Sequence, residues 1–167
     1  SARSAARSDC RACVSCCCEA HLYRMFTIRV YGLLIHNGNV LVSDELIRGQ
    51  RITKFPGGGL EYGEGLKDCL IREIKEEMGM DAFDLEHFYT TDFFQQSAFH
   101  TTPMQVVSVY YTFSVRDPKA ISVVSEPFGG EGVEFSEELF RWLSLENVDL
   151  EAVSLPIDRV VLGMLQQ

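Results

Sequence analysis

Apolar and polar positions alternate or repeat in blocks along most of the chain, and the period changes several times. Residues 26–36 (FTIRVYGLLIH) are rich in β-branched and aromatic side chains and read as a strand. Asn37-Gly38 follows, the dipeptide of a tight two-residue hairpin, and residues 39–43 answer as the partner strand. Residues 44–54 are polar and are expected to form a loop, whereas Pro56 and the three glycines after it exclude helix from residues 55–59. The period then lengthens. Leu66, Leu70 and Ile74 recur every four residues, which predicts a helix over residues 66–78 with Gly79 as its C-terminal cap. Residues 85–94 and 104–115 read as strands, residues 116–136 as a long loop or hairpin excursion punctuated by Pro and Gly, and residues 139–143 as a short strand. Residues 155–167 read as a closing helix with Pro156 in its first turn. Strands and helices interleave in this way in mixed α/β folds.

The first 24 residues have neither period. Five of the six cysteines lie there, among Ser, Ala and Arg, and only Cys69 lies in the body. The body is no disulfide scaffold, and a reducing cytoplasm is the natural reading. The expected organisation is a leader over residues 1–24, an extension upstream of a start at Met25 or a transit-like segment, and one domain over residues 25–167. The spacing of Cys10, Cys13 and Cys16 suits zinc, but a second spaced pair is missing, so it is read as incidental.

Composition narrows the function. Hydrophobic residues make up 46% of the 167, enough for a packed core. No apolar run approaches the roughly 18 residues of a membrane span. The net charge of -9 argues against a broad basic face for nucleic acid. It does not argue against a phosphorylated small molecule, since a bound cation reverses the local sign.

The chemistry concentrates on the central helix. Glu73, Glu76 and Glu77 fall at i, i+3 and i+4 beside its apolar stripe. Like charges at that spacing repel by a few tenths of a kcal/mol per pair, and carboxylates in a last turn oppose the helix dipole by about 0.3–1 kcal/mol each. A solvated acidic face would be the bland account. The Gly-rich approach at residues 57–59, where backbone can come close to a ligand, and Glu64 one short turn before the helix favour a bound hard cation.

Gly58, Glu64, Arg72-Glu73-Ile74, Glu76-Glu77 and Gly79-Met80, at their spacings, resemble the Nudix box, with every fixed position of that 23-residue motif filled. The Phe55-Pro56-Gly57 and Leu60-Glu61 flanks and the Arg141-Trp142-Leu143 segment are also similar to the family's pattern. The resemblance covers residues 25–167 and implies an α/β/α sandwich around a mixed β-sheet. It implies a Mg²⁺-dependent pyrophosphohydrolase, with Mn²⁺ as a substitute, acting on a nucleoside diphosphate linked to another moiety. It allows a homodimer.

Roles follow by position. The resemblance makes Glu76 and Glu77 direct metal ligands and Glu73 either a ligand or the base. Glu64 would hold metal through water, the Gly58 carbonyl would complete the set, and Arg72 would orient the glutamates. A base outside the box would come from the acidic stretch before Trp142, with Glu137 or Glu138 favoured over Glu126, Glu131 and Glu134. Arg29, Arg51 and Lys54, on the approach to the box, are candidates to clamp substrate phosphates, with Arg48 beside them. Among Tyr89, Phe93, Phe94, Phe99 and Tyr111 a base-stacking platform is conceivable, although core packing is the expectation for most. The alternative function is a non-catalytic nucleotide-binding regulatory module of the same family, and a diphosphate isomerase is a further contender. The intact box favours catalysis over both.

Overall fold

A computed structural model describes residues 25–132 and 138–167. The expected leader and Glu134 and Glu137 lie outside the described residues. The first strand, β1 (Met25–His36), organises the rest. Val30 and Leu34 face one side of the sheet and Tyr31 and Leu33 the other, so both faces of β1 are buried under separate apolar layers. Asn37 (φ 49°) and Gly38 (φ 73°) turn the chain in the left-handed region, and β2 (Asn39–Ile47) returns beside it.

The expectation of a loop over residues 44–54 is corrected. β2 runs on to Ile47, and β3 (Gln50–Lys54) pairs antiparallel with it through a second tight turn, Arg48 (φ 51°) and Gly49 (φ 79°). Polarity misleads here because the polar side chains are satisfied inside. Asp44, fully buried, accepts from Arg141 Nε and from Phe128 N, both at 2.9 Å, and from Thr53 Oγ1 at 2.6 Å. A buried charge survives only when partnered in this way.

Next, β4 (Gly57–Gly59) lies antiparallel to Arg29, Val30 and Tyr31 of β1, and α1 (Leu66–Met78) follows. Gly79 at φ 69° caps α1, its N–H donating to the Lys75 carbonyl. β5 (Phe83–Thr90) and β6 (Met104–Ser114) complete one wing, with β6 parallel to β1 over ten residue pairs. β5 starts and ends earlier than the sequence suggested, so Phe93 and Phe94 are exposed rather than packed in a strand. β7 (Leu139–Ser144) pairs with β2, and α2 (Pro156–Leu165) closes the chain.

The path through the sheet is β3-β2-β1-β6-β5, with β4 on β1 and β7 on β2, seven strands of mixed direction. Cys69, Leu70 and Ile74 of α1 pack on one face with Val30, Val109 and Phe113. Ile157, Val161 and Leu162 of α2 pack on the other with Tyr31, Phe55 and Tyr110. This is the expected α/β/α arrangement. No helix among the described residues is long and apolar enough to cross a membrane.

Candidate active site

The glycine strand β4 is pressed between β1 and α1, and that contact builds the site. An added β-carbon on Gly58 would overlap the Glu73 carboxylate, and one on Gly57 (φ 127°) would strike the Val30 carbonyl. At Gly57, where the obstacle is backbone, only glycine permits this approach. On the side of α1 that meets β4, Gly57 N donates to Glu77 Oε2 at 3.1 Å. Glu73 and Glu77, one turn apart, therefore both face the β4 backbone.

Arg72 gathers the remaining box carboxylates. Its Nε and a terminal nitrogen bind Glu64 at 2.8 and 3.1 Å, and its other terminal nitrogen reaches Glu73 at 2.9 Å and Glu76 at 3.2 Å. A further bond ties it to the Gly59 carbonyl at 3.2 Å. The Arg72 contacts, aided by the Glu61 backbone, hold the Glu64 carboxyl down at about 2. Glu76, 61% exposed, stands at the solvent margin, apart from Glu77.

A second group of carboxylates meets Glu77 from β2 and from the residue just before β7. Ligand atoms of Glu45, Glu77 and Glu138 all lie within 4.8 Å of one another. Glu138 Oε1 is buried without a hydrogen-bond partner. Burial, then the neighbouring Glu45 and Glu77 carboxylates, pushes the Glu138 carboxyl up to about 8. Burial also raises Glu77. An orphaned carboxylate oxygen aimed among two other carboxylates, beside a glycine cradle already filled by a fourth, suits a hard divalent cation held by oxygen.

The three clamp candidates take different places. Lys54 is buried, its ammonium 2.5 Å from Glu45 and 3.2 Å from the Gly57 carbonyl. Arg29 donates to the Tyr31 hydroxyl at 2.7 Å. Arg51 lies over the Phe128 ring, 5.3 Å from its centroid. Arg29 and Lys54 line a cavity of about 320 Å³ on the α2 side of the sheet, together with Glu45, Phe99, Tyr110 and Asp158, and Arg51 does not. Of the aromatic candidates, Phe99 lines the cavity, while Tyr111 is buried in the α1-side core.

Two functional candidates escaped the sequence reading. Glu45 was hidden in the supposed loop, although Gly49 placed four residues later marked a possible turn. Asp158, fully buried in the first turn of α2, accepts from the Tyr110 hydroxyl and from Phe55 N at 3.3 Å. Burial lifts its carboxyl to about 6. An isolated acid within an apolar helix start was the available signal.

A family model described as NUDIX domain matches residues 25–162, and the chain belongs to the Nudix family. Nudix hydrolase 2 of Arabidopsis thaliana is 41% identical over 70 residues, 40% of this chain and 22% of that protein. An RNA pyrophosphohydrolase of Campylobacter jejuni is 47% identical over 34 residues, 20% of this chain and 22% of that one. The chain thus spans about a fifth of these relatives' length. An RNA pyrophosphohydrolase of Bartonella bacilliformis is 25% identical over 131 residues, 69% of this chain and 76% of that one. The MutT NUDIX hydrolase of Burkholderia pseudomallei shares the fold with a TM-score of 0.61 at 17% identity, covering 84% of this chain and 98% of that one. A UDP-X diphosphatase shares it at 0.54 and 17%, covering 86% and 64%.

Proposed function

We propose that the protein is a divalent-metal-dependent pyrophosphohydrolase that cleaves a diphosphate bond in a nucleoside diphosphate linked to another moiety. The observation that carries this reading is the convergence of carboxylates at Glu77, with Glu73 beside it against the β4 glycines and Glu138 beside it with a buried oxygen that has no hydrogen-bond partner. Glu73, Glu77 and the Gly58 carbonyl would hold the cation, Mg²⁺ or in its place Mn²⁺, with Glu64 and Glu76 as an outer arm that Arg72 orients. When bound, the cation neutralises the diphosphate and acidifies an attacking water.

The chain's own groups supply the rest. Glu138 Oε1, which has no hydrogen-bond partner, would accept the proton of the water that attacks phosphorus once a bound cation has drawn the Glu138 carboxyl back to its ionised form. The P–O bond to the leaving phosphate breaks as the new one forms. Glu73 is the base if Glu138 is not. The cavity beside the carboxylates takes the organic part of the substrate against Tyr110 and Phe99, with Arg29 and Lys54 on the phosphate side. Net charge and the buried lone cysteine of the body fit a small-molecule nucleotide substrate and a reducing, cytoplasmic setting. A homodimer is part of the same reading.

The test is a substrate panel with Mg²⁺ in ¹⁸O-water, scored by product identity. It includes nucleoside triphosphates, ADP-ribose-type diphosphates, nucleotide sugars, dinucleoside polyphosphates and a 5′-triphosphorylated RNA. Labelled phosphate product from one class supports hydrolysis at phosphorus and names the substrate. Tight nucleotide binding with no product under Mg²⁺ or Mn²⁺ would establish the regulatory alternative instead.

A further inference from the structure

A lysine ammonium already sits where the carboxylates converge. Lys54 closes β3 and is 3% exposed. Its Nζ is 2.5 Å from Glu45 Oε1 but 3.9 Å from both Glu77 Oε1 and Glu138 Oε1. The Gly57 carbonyl at 3.2 Å and the Tyr31 ring, centroid 5.9 Å away, complete its surroundings.

The asymmetry of these distances matters. Glu45 Oε1 is engaged by Lys54 and also accepts from Ser43 Oγ at 3.3 Å. Glu77 and Glu138 feel the ammonium charge without a hydrogen bond from it. Of the three carboxylates brought together here, Glu45 therefore has an oxygen in direct contact with the protein's own cation, and Glu77 and Glu138 do not. Without Lys54, three carboxylates within 4.8 Å would face one another with no positive charge between them.

We infer that Lys54 is a positioning residue of the metal cleft, a resident cation that withholds Glu45 from the ligand set and leaves Glu77 and Glu138 open. This rests on the proposed metal-dependent reading. Lys54 sets how many carboxylates the divalent ion can recruit, and so keeps its affinity moderate. It also holds the cleft together before any ion arrives. Buried on a strand and hydrogen-bonded to backbone, it does this from a fixed position rather than from a flexible surface arm.

The experiment measures Mn²⁺ binding to the full chain by loss of the free-ion electron paramagnetic resonance signal. Lys54→Met frees Glu45 to join Glu77, so Mn²⁺ binds about tenfold tighter or more than in the parent. Adding Glu45→Gln to that variant removes the gain. Glu45→Gln alone lets the ammonium move onto Glu77 and Glu138 and weakens Mn²⁺ binding by about tenfold. Unchanged or weaker binding in a folded Lys54→Met variant overturns the inference. Where Lys54→Met does not fold without metal, Glu45→Gln decides: weakened binding supports the inference, and parental binding overturns it. A parent chain that binds no Mn²⁺ would overturn the metal reading itself, and this inference with it.

Discussion

Gly57 N–H donates to Glu77 Oε2 at 3.1 Å, across twenty positions of sequence. The last turn of α1 is thereby fastened to the glycine strand, and Glu77 is held by the backbone in a way that Glu76 is not. Backbone donation leaves the other oxygen of Glu77 directed at the Glu45 and Glu138 group.

The two adjacent glutamates should therefore separate kinetically. Glu77→Gln is expected to lower kcat by about a hundredfold or more, because it loosens the hold on the cation that would stabilise the transition-state charge. Glu76→Gln, at the solvent margin, should cost clearly less. Steady-state kinetics on the substrate found by the panel, with circular dichroism as a folding control, checks this.

Glu138→Gln tests the proton acceptor. Removal of a general base costs about 10²–10⁴ in kcat. Mn²⁺ affinity should change far less than kcat does. Equal losses in both would reassign Glu138 to the ligand set and leave Glu73 as the base.

The raised Glu138 carboxyl also has a thermodynamic consequence for the metal-free protein. Its folded value, about 8, lies above the ordinary glutamate range near 4.5. A raised acid contributes stability that is complete below the unfolded value and is lost as pH rises through the folded one. The melting temperature in EDTA should fall between pH 5 and pH 8.5, by at least about 2 °C if about 1 kcal/mol of the linkage survives solvent screening. Glu138→Gln should flatten that slope. A parent curve that rises over this interval would contradict it.

Asp158→Ala removes the acceptor for both the Tyr110 hydroxyl and Phe55 N. Buried donors left unpartnered cost about 1–3 kcal/mol each. A melting temperature lower by several degrees is expected, together with a raised KM, because Asp158 and Tyr110 also line the cavity. Asp158→Asn, which can still accept one of the two bonds, should recover part of the stability.

Much of this architecture was legible because local rules and burial agreed. α1 carries an apolar stripe, ends on a glycine in the left-handed region, and spans Leu66–Met78 as its periodicity indicated. The Asn37-Gly38 turn specified its hairpin for the same reason. The misread stretch, residues 44–54, was one where tertiary pairing overrode composition. Asp44 and Lys54 are polar in sequence and buried in the fold, their partners being Arg141 and Glu45. No local pattern announces such pairs, since Asp44 and Arg141 lie on strands far apart in the chain. Glu45 went unseen for that reason. The placement of Glu64, Arg72, Glu73, Glu76 and Glu77 on one loop and helix followed from spacing alone. Which of them would face β4 and which would face solvent depended on how closely glycine let that strand approach.

Glu45 comes from β2, Glu77 from the last turn of α1, and Glu138 from the residue just before β7, which docks on β2. During synthesis the box helix emerges well before Glu138 does. A chain still growing on the ribosome owns most of its acidic machinery but not the member with the free oxygen. The two ends of the assembly meet only where β7 pairs with β2. Under the proposed reading, a chain that has not yet reached β7 lacks its proton acceptor.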